Sequence, residues 1–143
     1  MMKNILGVLA GIISAFILIF LLEKVGHSIF PVAENIDFGD KEAMKKIIDT
    51  MSFGALLTVI IAYAIGSFGG GFVCALISEN NKIRYSVITG IILLIFGLIN
   101  LFMIPHPVWF MIVNVLVYIP FAFFGGKSGE KIKPEKKSEA EST

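Results

Sequence analysis

The chain has 143 residues, 56% of them hydrophobic, and a formal net charge of +1. In water, a protein this small with a mean hydropathy of +0.85 would be coated in exposed apolar surface, so the composition excludes an ordinary soluble domain and makes lipid the natural solvent. The single cysteine, Cys74, excludes a disulfide scaffold, CxxC redox chemistry and a Cys-rich metal site within one chain, and reads as a small buried hydrophobe.

Four apolar segments free of charged side chains, residues 5–22, 53–77, 87–104 and 108–124, are separated by charged or proline-rich breaks. Each has about the 17–25 residues that a helix needs to cross a hydrocarbon core. Lipid offers the backbone no hydrogen-bond partners, so such segments must be α-helical. The expected fold is an all-α integral membrane protein: a four-transmembrane-helix bundle over residues 1–126, with a short interfacial helix in the first outer loop. Lys3 ahead of the first apolar run resembles the start of a secretory signal. That run is longer than the usual h-region of about 7–15 residues and no A-x-A-like cleavage site follows, so it reads as an uncleaved first span.

Span one carries Gly7, Gly11 and Ala15 at four-residue spacing and exits through Glu23, Lys24, Gly26, His27, Phe30 and Pro31. If the helix continues past Leu22, Glu23 and His27 share a face one turn apart. In the loop that follows, Asp40 is placed to cap a helix at about 40–51. Its apolar residues Ala43, Met44, Ile47, Ile48 and Met51 fall on one side, with Lys41, Lys45, Lys46 and Asp49 mostly elsewhere. Such a helix rests on the outer leaflet or, alternatively, forms a lid over the mouth of the bundle.

Span two repeats small residues every fourth position: Gly54, Thr58, Ala62, Gly66 and Gly70. In lipid, faces of this kind let backbones approach closely, either within one bundle or between two copies of the chain. The run Gly69-Gly70-Gly71 is also a candidate kink. The turn Glu79-Asn80-Asn81-Lys82 reads as a plain short inner connection. A faint repeat then emerges, with Ala10-Gly11-Ile12-Ile13 resembling Thr89-Gly90-Ile91-Ile92, and Phe68-Gly69-Gly70 resembling Phe124-Gly125-Gly126. A parallel duplication of one hairpin gives such a pattern, and so does chance in Ile- and Gly-rich sequence.

Spans three and four meet at Pro105-His106-Pro107-Val108-Trp109. The prolines stiffen this turn and aim the imidazole of His106. Asn100 and Asn114 lie within two turns of it, in the outer half of the membrane, where an unpaired amide costs about a few kcal/mol. After Gly126 the chain is polar and of mixed charge, so residues 127–143 are expected to be a disordered cytoplasmic tail.

Orientation follows from the basic residues. With both termini in the cytoplasm, Lys3, Lys82, Arg84, Lys127, Lys131, Lys133, Lys136 and Lys137 lie inside. Lys24, Lys41, Lys45 and Lys46 lie outside, offset by Glu23, Glu34, Asp37, Asp40, Glu42 and Asp49. The positive-inside bias favours this arrangement.

The residues with chemical content gather at the outer ends of the spans. Glu23, His27, Asn100, His106 and Asn114, with Trp109 beside them, form a candidate ligand-binding cluster. The alternative is structural: Trp109 as an interfacial anchor and the asparagines as ties between spans. Two His and one Glu are an incomplete metal set without HxxxH or ExxH spacing, and a rigid Pro-His-Pro turn suits haem poorly, so neither metal nor cofactor is expected. A Glu–His pair suits a polar solute or protons, and the carboxylate favours the charged imidazole unless burial opposes it.

The Glu-x-x-Gly-His-x-x-Phe-Pro exit from span one, together with the Pro-His-Pro-x-Trp turn, resembles an uncharacterised family of small four-span bacterial membrane proteins. The resemblance covers nearly the whole chain except the tail. It implies a fold and a bacterial cytoplasmic membrane location, no activity, and attention to Glu23, Gly26, His27, Pro31, Pro105, His106, Pro107 and Trp109. Two function classes follow: binding or translocation of a small solute or ion at the outer cluster, or a non-catalytic scaffold or accessory subunit of a larger complex. No carboxylate sits mid-span for ion coupling, and no nucleophile–base pair points to an enzyme. The expected partners are the lipid bilayer, a second copy of the chain or another membrane protein, with nothing that suits nucleic acid.

Overall fold

Uninterrupted apolar runs closed by proline, asparagine and charged breaks give long helices, and the computed structural model describes them over residues 1–31, 37 and 39–135. They are α1 (Met2–Ile29), α2 (Lys41–Thr50), α3 (Phe53–Ile77), α4 (Lys82–Met103) and α5 (Val108–Ile132), with no strand among the described residues. All but α2 are long and apolar enough to cross a membrane. Glu34 in the first loop and the tail from residue 136, with Lys136 and Lys137, lie outside the described residues.

Three boundaries differ from the sequence expectation. α1 runs seven residues past Leu22, because nothing in Glu23–Ile29 breaks a helix and Gly26 seats against α3, where an added Cβ would lie 2.7 Å from Thr58 Cγ2. α4 begins at Lys82, ahead of Val87. α5 continues to Ile132, which corrects the disordered tail expected from Lys127. The reason is packing: a Cβ on Gly129 would lie 2.7 Å from the Phe72 carbonyl oxygen and 2.9 Å from Ala75 Cβ, so the polar stretch is held on α3. α5 also passes through Pro120 without ending.

α3 is the centre of the arrangement, touching α1, α4 and α5, while α4 also touches α1 and α5. The small-residue stripe of α3 meets α1. A Cβ on Gly70 would lie 2.8 Å from the Gly11 carbonyl oxygen, one on Gly66 would meet Ile19, and one on Gly54 would lie 2.7 Å from the Phe30 ring. Gly7 and Gly11 answer from α1, facing Cys74, Ser78 and Gly70. Gly71 faces Ala122 on α5, so the three-glycine run serves two contacts on an unbroken helix and makes no kink that ends it. A duplicated hairpin would pair α1 with α5 as α4 pairs with α3; no Cα of α1 lies within 8 Å of one in α5, so the repeat is not mirrored in the backbone packing of the described residues. The outer surface is apolar, with Ile13, Phe20, Ile61, Ile95 and Leu116 exposed.

The turn between α3 and α4 does more than connect. Lys82 is only 1% exposed. Its ammonium donates to the Ala75 carbonyl at 2.7 Å and to the Ser78 carbonyl, and Lys133 Nζ donates to the Leu76 carbonyl at 2.9 Å. Two lysines thereby satisfy the open carbonyls at the α3 C-terminus, where the helix dipole favours positive charge. Lys3 pairs with Glu79 at 2.5 Å, and Asn4 Oδ1 accepts the Glu79 amide at 2.9 Å, tying α1 to the same turn.

Candidate functional site

At the opposite end, the extension of α1 puts Glu23 and His27 one turn apart on a continuous helix. The stiff turn after α4 brings His106 in from the other side, and Asn100 comes from the last turn of α4. These four side chains line one cavity of about 310 Å³, together with Tyr63 and an apolar wall that includes Leu56, Val59, Ile104 and Phe110. Its roof is α2.

Asp40 starts that roof, accepting the Glu42 amide at 2.9 Å and the Ala43 amide at 3.2 Å. Met44, Ile47 and Ile48 then face the cavity, joined by Met51, while Lys41, Lys45, Lys46 and Asp49 are exposed. Met44 and Ile48 are buried, yet no Cα of α2 lies within 8 Å of a Cα in another helix. The roof is therefore held by side-chain tips, two of them flexible methionines, rather than by close backbone packing.

Glu23 is half-buried and sits at the hub of the site. Tyr63 of α3 lines the cavity beside it, and Tyr63, His27 and Tyr118 are all within electrostatic reach of the carboxylate. Tyr63 and Tyr118 stack with centroids 5.7 Å apart. His106 is held differently. Its Nδ1–H donates to the Ile104 carbonyl at 2.7 Å, and its ring stacks on Phe110 with centroids 4.8 Å apart and planes 10° from parallel. With the proton on Nδ1, the neutral ring keeps Nε2 as an acceptor. Burial pushes the His106 pKa below the ordinary histidine value, partly opposed by the Ile104 carbonyl, so it is a neutral acceptor at pH 7.

Two residues of the expected cluster stand apart from the cavity. Asn114 is 1% exposed within the bundle, and its Oδ1 has no hydrogen-bond partner. Trp109 packs on Phe53 at 5.2 Å and edge-on to Phe110 at 6.0 Å, acting on the site only through that ring. Sequence reasoning passed over Tyr63 and Tyr118. Their signal was present, since a tyrosine inside an apolar span must find a partner for its hydroxyl. Among the described residues no group of three or more His, Cys, Asp or Glu is arranged to hold a metal ion.

No family model, curated protein or solved structure matches this chain.

Proposed function

We propose that this is a multi-pass protein of the bacterial cytoplasmic membrane, with both termini in the cytoplasm, that binds or translocates a small solute or ion at the cavity under α2. One observation carries the reading: Glu23 and His27 from α1 and Asn100 and His106 from the far end of α4 line a single cavity, roofed by a helix that makes no close backbone contact with the bundle. Its volume of about 310 Å³ falls at the lower end of small-molecule pockets, roughly 300–1,000 Å³. One carboxylate, two imidazoles, an amide and a phenol supply both donors and acceptors, set in a largely apolar wall. The lysine distribution puts this end of the bundle outside, and α2 then rests at the outer leaflet as the lid of the site.

The second reading, a scaffold for a membrane partner, loses its main surface. The glycine faces of α1 and α3 are spent on each other, which leaves the apolar lipid-facing surface and the tail for a partner or a second copy.

Thermal unfolding in detergent against a panel of small amines, carboxylates, sugars and divalent cations tests the solute reading. A ligand that binds only the folded form at 100 times its Kd stabilises it by about 2.7 kcal/mol. At least one class should raise the melting temperature of the wild type but of neither His27→Ala nor His106→Ala, both still folded. No stabilisation by any class, or loss of folding in both variants, would favour the structural role. Orientation is tested separately on a Cys74→Ala background: a cysteine at position 37 should be labelled from outside sealed cells and one at position 80 spared.

A further inference from the structure

We propose that the solute is an organic cation with an apolar body, and that it reaches Glu23 from the bilayer through a crevice between α1 and α4. The inference rests on the solute-binding reading and gives it a ligand class and a route.

A second cavity, of about 230 Å³, lies along the α1–α4 seam. Glu23, Tyr63 and Asn100 line this crevice and also the chamber under α2, so the carboxylate and its phenol stand where the two meet. The remaining crevice wall is apolar or aromatic: Phe16 and Ile19 from α1, Leu93, Phe96 and Gly97 from α4, Tyr118 from α5. Four rings thus share the crevice with one carboxylate, and among the described residues no Lys, Arg or His side chain lines it.

That inventory selects a charge type. A lone carboxylate in a weakly polar wall attracts a cation and repels an anion, and nothing else in the crevice offsets it. Aromatic faces add cation–π attraction for an ammonium that has shed its water. A bare metal ion would need more oxygen ligands than one Glu, one Asn and two phenols present, whereas an alkylammonium needs one counter-charge and apolar contact for its substituents.

The route follows from the rim. Phe16 and Phe96 meet edge-on with centroids 5.5 Å apart, yet remain 44% and 48% exposed. They therefore close the crevice against the outside of the bundle rather than fill its core. Phe16 lies seven residues before Glu23, about 10 Å along the helix, so this rim opens at hydrocarbon depth. The α1–α4 seam is the sparsest of the contacts among the four long helices, and Gly97 seats the Tyr118 ring at the back of the crevice, where a Cβ would lie 2.6 Å from Tyr118 Cζ. An amphiphilic cation dissolved in the bilayer has a direct path past two phenyl rings to the carboxylate.

Calorimetry on the purified full chain in nanodiscs tests the ligand class with benzyltrimethylammonium, its neutral counterpart neopentylbenzene, and benzenesulfonate. Wild type should bind the cation at least tenfold more tightly than either of the others, a comparison that needs no variant to fold. Glu23→Gln should weaken cation binding at least tenfold. Equal affinity for the neutral compound, no cation binding, or cation binding unchanged in folded Glu23→Gln would overturn the ligand class. Benzenesulfonate binding that depends on His27 and His106 would overturn it while leaving the chamber reading intact. Cation binding lost in Glu23→Gln but untouched by His27→Ala and His106→Ala would retain the crevice and remove the chamber. For the route, Phe16→Cys/Phe96→Cys on a Cys74→Ala background is compared before and after bismaleimide cross-linking. Cross-linking should slow association of bilayer-dissolved benzyldimethyloctylammonium at least tenfold; an unchanged rate would mean access from the α2 side.

Discussion

Tyr63 on α3 and Glu23 on α1 line the same two cavities, and the pair stands where the chamber under α2 meets the α1–α4 crevice, the phenol an electrostatic neighbour of the carboxylate. A half-buried carboxylate that loses a polar neighbour keeps its desolvation cost with less compensation. Tyr63→Phe should therefore lower stability by about 0.5–1.5 kcal/mol, the net worth of an ordinary polar contact. Thermal unfolding in detergent reads this directly. A Tyr63→Phe/Glu23→Gln double variant should lose less than the sum of the two singles; strict additivity would mean that the side chains do not interact.

The α1–α3 contact allows almost no added volume. Ala62 is buried, and a Cβ on Gly66 would already lie 3.0 Å from Ile19 Cδ1 and 3.1 Å from the Ala15 carbonyl oxygen. Ala62→Leu and Gly66→Leu should each destabilise by at least about 1–3 kcal/mol through overpacking. Ile61→Leu, on the exposed side of the same helix, should be close to neutral. Equal melting temperatures for all three would place the stripe against lipid.

Lys82 gives the largest expected effect from a single side chain at the end of the bundle opposite the cavity. Its ammonium satisfies the Ala75 and Ser78 carbonyls, and hydrogen bonds to charged groups are worth about 1.5–3 kcal/mol each. Lys82→Met keeps most of the volume and removes both donors, so a loss of about 2–4 kcal/mol is expected. Urea or thermal unfolding of Lys82→Met against Arg84→Met, whose side chain is exposed, checks it. A loss no greater than that of the Arg84 control would mean that the carbonyls find other donors.

Burial holds the pKa of His106 below its unfolded value of about 6.5. The unfolded chain then binds more protons than the folded one as pH drops below that value, so stability falls from there down to the folded pKa and is level beneath it. The melting temperature should decline between pH 7 and pH 5, and His106→Gln should remove part of that decline. Other ionisable groups contribute to the same profile, so the diagnostic quantity is the difference between wild type and variant. An identical pH profile in His106→Gln would mean that His106 does not carry the decline.

Much of this architecture was legible before any coordinates. The four long helices, apolar enough to cross a membrane, follow from uncharged apolar length, since a backbone in lipid would have only its own hydrogen bonds. The α1–α3 seam follows from glycine at four-residue spacing, which puts every small residue on one helical face. Gly11, Gly66 and Gly70 meet where that periodicity places them. Asp40 and the face of Met44, Ile47 and Ile48 were equally readable, since a cap and a 3.6-residue rhythm are local properties.

Tertiary structure alone decided the rest. Sequence placed Asn114 and His106 at one end of the bundle, but which way a mid-helix side chain points depends on helix rotation, and Asn114 turns into the core instead of the cavity. Helices chosen by hydropathy stop where charge begins; α5 runs on to Ile132 because Gly129 fits against Phe72 and Ala75, a contact with no signature in the local sequence. The same holds for Lys82, which reads as a loop lysine and is a buried cap, because its partners belong to the end of another helix. Tyr63 reaches Glu23 only through the crossing of α3 on α1. Length, charge and periodicity act within a segment, whereas a site between helices is fixed by how their faces mesh, and that information is spread over all the segments at once.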